Sequence, residues 1–373
     1  MRKKSDAKPG QIDLWLVLLV MVLVMVGIWL VYDSSFATTV ESAQANNDAA
    51  YFAKRQGVFA LIGLVLMYVA SWLRLSWLSK IAAPLLLVSI VLLIGLYGFG
   101  TKVNGALRWY KFGPLTVQPS ELAKLAIVIY LADFFSQGKK ILRNLDSRWA
   151  MPLMLVAAVI CLIAAQPDLG TALAIVATCL AMWIAAGARK RHIALVVAGM
   201  GGLLLLLITV APYRLDRVKV WLDPWHYRYD DGYQVVHSLI ALARGNILGC
   251  GLCEGLEKLY LPATSTDFIF STLGEETGLL GGLALLTLFV LFIFKGLDVG
   301  CKSASVYADL LAVGITSMIG LQALINVAVV SSFIPATGVT LPFMSYGGSS
   351  LVVTLVSVGI LLAVSRTASR ASR

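Results

Sequence analysis

Long apolar runs alternate with shorter polar segments along nearly the whole chain. The runs last roughly 18–25 residues, which is the length an α-helix needs to cross about 30 Å of hydrocarbon. We therefore predict an all-α polytopic membrane protein whose residues 1–373 form a single transmembrane domain. We predict about ten spans, at residues 12–32, 56–73, 80–98, 119–135, 150–166, 169–187, 193–211, 268–294, 308–330 and 350–366.

Composition excludes the two common alternatives to a membrane protein. The chain is 59% hydrophobic and 13% charged, whereas a soluble domain is about 45–50% apolar and about 25% charged. A disordered chain would be poorer still in apolar residues. The net charge of +10 would suggest nucleic acid in a soluble protein. Here most Lys and Arg residues lie in segments on the same side of the membrane as the N-terminus. This distribution places both termini in the cytoplasm. It also accounts for the positive charge without a nucleic-acid partner.

The longest polar segment, residues 212–266, joins the seventh and eighth predicted spans on the extracytoplasmic side; we call it the outer loop. A connection longer than about 15 residues is usually functional in a compact fold. Within the outer loop, residues 233–244 place apolar side chains on one stripe, at Val235, Val236, Leu239, Ile240 and Ala243. This stripe predicts an amphipathic helix lying on the outer membrane surface.

Polar sequences containing Gly or Pro mark the outer ends of several spans. Even-numbered spans run from outside to inside, and four of their N-termini carry such sequences, at residues 118–121, 166–171, 266–268 and 345–350. Helix N-termini expose free N–H groups and partial positive charge, which favour anionic ligands. Each sequence alone is also explained as a helix cap. Four of them on one face, beside the outer loop, indicate that the extracytoplasmic face is the functional one.

Charged residues in or beside the spans are the candidates for chemistry. Glu121 and Lys124 are three residues apart on one span, so they share a face and can pair. Such a pair either orients two helices or lines a polar substrate groove. Asp267 stands beside an apolar Phe-Ile-Phe run. Its pKa is therefore expected to be raised, which suits a general base, although an N-cap role is the simpler alternative.

Basic residues next to aromatic ones recur on the outer side. Arg108 and Trp109 precede the fourth span, and the outer loop contributes Arg214, Arg217 and Lys219. These groups either anchor the protein among lipid head groups or hold a phosphate. The three histidines show no metal-ligand or catalytic-triad spacing.

Two further features remain open. Glu275 and Glu276 lie within a ladder of Gly274, Gly278 and Gly282, which predicts close helix packing and leaves the role of the two carboxylates undefined. A C-x-x-C motif in the outer loop has no second pair or His cluster near it, so redox or zinc chemistry is less favoured than incidental small residues, at Cys250 and Cys253.

Short motifs follow one another in order along nearly the whole chain, at Asn104–Trp109, Gln118–Lys124, Gln166–Thr171, Asp223–Pro224, Gly232–Gln234, Tyr260–Pro262, Thr266–Phe270 and Pro342–Ser350. In this combination they resemble the SEDS family (shape, elongation, division, sporulation) of peptidoglycan glycosyltransferases. Residues 103–106 and 340–343 resemble its FtsW/SpoVE branch, for division or sporulation, more than its RodA branch, for elongation.

The resemblance implies a ten-helix enzyme that polymerises lipid II on the outer leaflet. Such an enzyme joins disaccharide units into β-1,4-linked glycan strands and releases undecaprenyl pyrophosphate. By resemblance Asp267 is the essential acidic residue, and Glu121 and Lys124 are an important charged pair of the fourth helix. Other motif positions are matched by Gln166, Asp168, Ser345 and Tyr346.

The chain departs from the family pattern just before Asp267. The family often carries an acid and an imidazole where this chain has Ala263 and Ser265, and a glycine where it has Cys253. Asp267 itself is retained, so any assistance from those neighbouring positions is in doubt.

These observations lead to a mechanistic hypothesis. Asp267 removes the proton from the 4-hydroxyl of the acceptor sugar, and attack opposite the α-linked pyrophosphate inverts the anomeric carbon. Arg214, Arg217 and Lys219 stabilise the leaving pyrophosphate, and a divalent cation, Mg²⁺ or Mn²⁺, is a further expectation there. The sequence itself calls for no other cofactor. A class B penicillin-binding protein, which is a transpeptidase, is the implied partner, together with division or sporulation membrane proteins.

Two transport functions are the alternatives. A flippase for lipid-linked peptidoglycan precursors also needs a polar groove between helices. It should have polar access from both faces, however, and the cytoplasmic segments lack such motifs. An ion-coupled transporter needs acidic residues at the bilayer midplane, a requirement that Glu121, Glu275 and Glu276 leave open.

Overall fold

The structure is a computed structural model. It describes residues 12–40, 48, 50–103, 106–113, 115–137, 150–194, 197–199, 201–202, 212–262 and 264–367. The predicted seventh span, residues 193–211, lies largely outside this part of the chain.

The described residues form an all-helical membrane protein with one small β-sheet. The described residues contain eleven α-helices and one short 3₁₀ helix, Glu257–Leu259. The α-helices are α1 Leu14–Val40, α2 Tyr51–Ala70, α3 Leu75–Phe99, α4 Pro119–Ser136, α5 Ala150–Ala165, α6 Leu169–Ala185, α7 Pro212–Leu222, α8 Tyr233–Gly245, α9 Ile269–Cys301, α10 Val306–Val330 and α11 Gly348–Thr367.

Among the described residues, six helices are long and apolar enough to cross a membrane, namely α1, α2, α3, α9, α10 and α11. Two shorter apolar helices, α5 and α6, accompany them. The chain is therefore a multi-pass membrane protein. The predicted fourth span is also a helix, α4, which carries the charged residues Glu121, Lys124 and Asp133.

Most side chains of α4 are buried, and it packs with α3, α6 and α10. Helix α10 also contacts α9 and α11, so α4 and α10 form the centre of the bundle. A charged residue on either helix is consequently shielded from lipid by protein, which lowers the cost of placing it at membrane depth.

A three-stranded antiparallel sheet departs from the purely helical prediction. Its strands are β1 Thr101–Val103, β2 Ala106–Phe112 and β3 Leu115–Val117, in the order β1–β2–β3. It occupies the connection between α3 and α4, where the sequence analysis expects a loop. The Tyr110 hydroxyl donates to Leu92 O at 2.7 Å, which fastens β2 to the outer end of α3.

Helix α8 begins at Tyr233 as predicted, and its packing face includes part of the predicted apolar stripe. Val235 and Val236 of that stripe are buried together with Ser238, Ala241 and Gly245, whereas Ala243 is exposed. A Cβ added to Gly245 would lie 1.9 Å from Gly274 O on α9. The small residues of α8 therefore allow its backbone to approach α9 closely.

Glu275 and Glu276 hold the outer loop to α9. Glu275 accepts from the N–H groups of Leu256 and Glu257 at 3.0 and 3.2 Å, and Glu276 accepts from Cys253 N at 3.0 Å. Both side chains are almost completely buried. The two carboxylates thus satisfy backbone donors that would otherwise be buried without partners.

Lys258 joins the same cluster to α1. Its Nζ lies 2.7 Å from Glu276 Oε1 and 2.5 Å from Asp33 Oδ1. Burial lowers the pKa of Lys258, but the hydrogen bonds to the two carboxylates raise it by more, so it stays above its ordinary value. Lys258 therefore remains protonated and ties the outer loop to two membrane helices.

Candidate active site at the outer helix ends

Asp267 directly follows the outer loop and lies two residues before α9 begins. The N-cap of α9 is Phe268, and no side chain caps this helix, so the capping explanation for Asp267 is wrong. Among the described residues, the Asp267 carboxylate accepts no hydrogen bond. Its backbone carbonyl accepts from Asn326 Nδ2 at 2.7 Å. The half-buried carboxylate is therefore available for a ligand.

The electrostatic surroundings of Asp267 identify its neighbours. The pKa of Asp267 is raised to about 6, mainly by burial and secondly by the negative charge of Asp168. The positive charges of Arg108 and Arg217 act in the opposite direction. Four groups from distant parts of the sequence consequently share one electrostatic environment, and the raised pKa predicted for Asp267 is confirmed.

Arg108, on β2, binds the turn between α5 and α6. Its Nε donates to Gln166 O at 3.2 Å, one Nη donates to Pro167 O, and the other lies 3.9 Å from Asp168 Oδ1. Asp168 also caps α6 by accepting from Thr171 N at 3.2 Å. Asp168 therefore both caps α6 and pairs with Arg108, and the two interactions keep the N-terminus of α6 beside Arg108.

Gln166 contributes to this turn without turning its amide group toward Asp267. Its Nε2 donates to Leu93 O on α3 at 3.0 Å, and the side chain is buried. Trp109 follows Arg108 on β2 and is half-buried opposite Thr101. Because side chains alternate along a strand, Trp109 and Arg108 lie on opposite faces of the sheet.

Helix α7 carries three of the basic residues of the outer loop, and their side chains have different partners. Arg217 donates to Ala336 O at 2.6 Å and Arg214 to Ala164 O at 3.3 Å, so both reach segments that border the site. Lys219 instead pairs with Asp216 at 2.8 Å; Arg217 and Lys219 are both exposed, so their partners distinguish them. Two residues correspond to about 200° on a helix, so Lys219 extends from the opposite side of α7 to Arg217.

Ser345 and Tyr346 attach the segment between α10 and α11 to the residues just before Asp267. Ser345 Oγ donates to Thr266 O at 2.5 Å, and Tyr346 N donates to Ser265 O at 2.7 Å. The fully buried Gln56 of α2 holds the same turn by donating to Ser345 O at 3.1 Å. The segment between α10 and α11 thus supports the residues before Asp267 directly, and α2 supports that segment.

Glu121 and Lys124 form the predicted ion pair, with 2.9 Å between Oε2 and Nζ, and both side chains are almost fully buried. Lys124 also donates to Gln322 Oε1 at 2.6 Å, and Gln322 Nε2 donates to Thr340 O at 3.0 Å. The pair therefore connects α4 to α10 and to the segment behind Asp267. It supports one wall of the site from within the bundle.

All four polar helix starts predicted from the sequence are now linked. Besides the contacts of Asp168 and Ser345, Gln118 N at the start of α4 donates to Ser349 Oγ on α11 at 3.3 Å. Ser349 Oγ in turn donates to Thr116 O on β3 at 2.6 Å. The outer ends of α4, α6, α9 and α11 therefore converge, as the alternating topology predicts.

Asn326, Gln322 and Gly338 also border the site and were not predicted from the sequence. The first two are polar residues four positions apart in a largely apolar span, so their shared face is a signal that could have identified them. Gly338 offers no such signal. A Cβ added to it would lie 3.2 Å from Asp267 Oδ2, and its φ of +70° lies in the region that favours glycine.

The arrangement suits proton removal beside an anionic group. A carboxylate with a pKa near 6 is mostly ionised at neutral pH yet basic enough to accept a proton. Arginine side chains on two sides of it offer donors for phosphate oxygens. The carboxylate lies just before α9, and the two arginines lie on β2 and α7.

A family model described as "Cell cycle protein", FTSW_RODA_SPOVE, matches residues 14–370. This chain belongs to that family. It is 39% identical over 360 residues to "Stage V sporulation protein E" of Bacillus subtilis, covering 95% of this chain and 97% of that protein. It is 36% identical to "Probable peptidoglycan glycosyltransferase FtsW" of Geobacter metallireducens, covering 95% and 94%.

Solved structures show the same fold. One chain, from work described as "Structural coordination of polymerization and crosslinking by a peptidoglycan synthase complex", matches with a TM-score of 0.77 at 31% identity, covering 95% of this chain and 98% of that one. The rod shape determining protein RodA of Thermus thermophilus matches with a TM-score of 0.70 at 28% identity, covering 95% and 97%. The resemblance derived from the motifs is thereby confirmed, and the fold is RodA-like.

Proposed function

We propose that this chain is a peptidoglycan glycosyltransferase that polymerises lipid II into β-1,4-linked strands and releases undecaprenyl pyrophosphate. The observation that carries the proposal is the half-buried Asp267 carboxylate beside Arg108 and Arg217, in a chain of this family. Its relatives include proteins named as probable peptidoglycan glycosyltransferases. Incubation of the purified protein with lipid II, followed by gel electrophoresis, tests the proposal: a ladder of glycan products is expected, and unchanged lipid II would contradict it.

The proposed reaction begins with proton removal. Asp267 accepts the proton of the acceptor 4-hydroxyl as that oxygen attacks the anomeric carbon of the donor sugar. The C–O bond to pyrophosphate breaks as the new glycosidic bond forms, and attack from the opposite side converts the α linkage to β. Arg217, with Arg108 and Arg214 nearby, stabilises the negative charge of the departing pyrophosphate. Glu121 and Lys124 shape the wall of the groove from inside the bundle.

We expect the polymerisation rate to depend on pH with a midpoint near the pKa of Asp267, which is about 6. Only the ionised carboxylate accepts a proton, so kcat falls as the pH drops through that value and is nearly constant between pH 7 and 8. Initial rates with lipid II across pH 5–8 check this, with a stability assay at each pH as the control. A rate that is constant down to pH 5 would contradict the role of Asp267.

The two faces of α7 supply a matched pair of variants. Arg217→Gln removes a charged donor near the leaving group, and we expect kcat/KM to fall by about 10-fold or more. Lys219→Gln removes the same charge two residues away, where the lysine is exposed and paired with Asp216, so we expect less than about a twofold change. Equal losses in both variants would indicate general attraction of anionic lipid instead of a specific contact.

A divalent cation is a separate proposal. Among the described residues, no three His, Cys, Asp or Glu side chains come together as a metal centre. A Mg²⁺ or Mn²⁺ ion would therefore take most of its ligands from the pyrophosphate, and no step of the mechanism passes through it. Polymerisation assays with a chelator, followed by addition of each ion, test this expectation.

The proposed topology has ten spans, cytoplasmic termini and an extracytoplasmic active face. The six long helices and the shorter α4, α5 and α6 support it, together with the converging helix ends. A class B penicillin-binding protein is the proposed partner, because a related chain comes from a peptidoglycan synthase complex, and division or sporulation membrane proteins are proposed with it. The flippase alternative predicts transfer of lipid II between leaflets without a glycan ladder, so the same gel assay distinguishes the two functions.

A further inference from the structure

Asn326 is the side chain that joins the turn carrying Asp267 to the segment carrying Gly338 and Val339. It lies on α10 and is fully buried. Its Nδ2 donates to Asp267 O and to Val339 O, each at 2.7 Å. An amide has two N–H donors, so both donors of Asn326 are engaged, one on each side.

The direction in which the Asp267 carboxylate points depends on the hydrogen bond from Asn326 to Asp267 O. Among the described residues, the carboxylate accepts no hydrogen bond, so its direction follows from the position of its own backbone. The contacts from Ser345 and Tyr346 hold the two preceding residues, at Thr266 and Ser265. Asn326 is the side chain that holds Asp267 itself.

The second hydrogen bond of Asn326, to Val339 O, holds the segment that faces Asp267. Val339 follows Gly338, whose Cα faces Asp267 Oδ2 closely enough that an added Cβ would lie 3.2 Å from that oxygen. On its other side this wall packs against Gly170, since a Cβ there would lie 2.4 Å from Val339 Cγ2. Asn326 thus fixes the distance between the carboxylate and the wall that faces it.

We propose that Asn326 is a positioning residue for glycosyl transfer: by bridging Asp267 O and Val339 O, it holds the Asp267 carboxylate in line with the acceptor hydroxyl. This inference rests on the proposed function. It concerns the catalytic step and not substrate affinity, because a buried amide does not contact the sugar or pyrophosphate.

The test is a kinetic comparison of Asn326→Ala and Asn326→Ser with the unmodified full chain, using lipid II as substrate. A displacement of about 1 Å at a reacting group costs about 100-fold in rate, so we expect Asn326→Ala to lower kcat by about 10- to 100-fold with KM within about twofold. Asn326→Ser retains one donor and should give an intermediate kcat. In Asn326→Ala the pH midpoint should also move below that of the unmodified protein, because a less constrained Asp267 gains access to water.

Ser331→Ala is the matched control and should leave kcat unchanged, since among the described residues the Ser331 hydroxyl donates to Val327 O and Ala328 O of α10. Thermal unfolding identifies variants that fold. If Asn326→Ala does not fold, Asn326→Ser decides: an intermediate kcat supports the proposal, and an unmodified kcat and pH midpoint overturn it. A folded Asn326→Ala variant changed only in KM also overturns it. Absence of polymerisation by the unmodified protein refutes the proposed function instead, so the two failures are distinguishable.

Discussion

Asp267→Asn should lower the polymerisation rate by about 10³-fold, because the amide occupies the same space but cannot accept the proton. We expect the variant to fold normally, since the Asp267 carboxylate makes no hydrogen bond within the described residues. Its thermal stability should equal or exceed that of the unmodified protein. The reason is that burial disfavours the ionised form, as its raised pKa indicates, and the neutral amide removes that cost.

The measurement is glycan formation from lipid II by the purified variant, with thermal unfolding in the same detergent. Asp216→Asn is the matched control, because Asp216 is an exposed aspartate on α7 whose partner is Lys219. We expect its activity to stay within about twofold of the unmodified protein. Substantial glycan synthesis by Asp267→Asn would refute the assignment of Asp267 as the base.

Lys124→Met should destabilise the protein by about 3–5 kcal/mol, because it leaves the Glu121 carboxylate buried without its cation. The side chains of Glu121 and Lys124 are 6% and 5% exposed, so water cannot replace the lost partner. Gln322 loses its charged donor as well. Denaturant-induced unfolding of the purified variant in detergent measures the change in the free energy of unfolding.

The double variant Glu121→Gln/Lys124→Met separates loss of the pair from loss of packing. It removes the uncompensated charge, so most of the stability should return, within about 1–2 kcal/mol of the unmodified protein. Lys302→Met is the surface control, since the pair of Lys302 with Asp298 is exposed and should contribute less than about 1 kcal/mol. If Lys124→Met lost no more stability than Lys302→Met, the buried pair would have no structural role.

The spans and the charged pair follow from local patterns. Apolar runs define the helices because hydrocarbon requires about 20 apolar residues to cross it, and the six long helices all coincide with predicted spans. The pairing of Glu121 with Lys124 is equally local, since three residues on a helix always share a face. The small sheet was missed because strands of three residues leave almost no periodic signal, at Thr101–Val103 and Leu115–Val117.

Alternation of the spans also sufficed to bring the four polar helix starts to one face, since each crossing reverses the direction of the chain. The partner of each side chain on that face is a different matter. Asn326 and Asp267 are 59 residues apart in sequence, and Arg108 and Gln166 are 58 apart. Periodicity describes which face of a helix is apolar but not which distant backbone carbonyl faces it.

The sequence by itself therefore indicated a multi-pass membrane protein, placed its long spans and identified the candidate acid Asp267, because hydropathy and motif order act over short stretches. Only the tertiary structure assigned Arg217 to the site and Lys219 to solvent, and only it identified Asn326 as the link between Asp267 and the facing wall. Those outcomes depend on how helices rotate and pack against one another. Packing is decided by the fit of many side chains at once, and no local pattern encodes that fit.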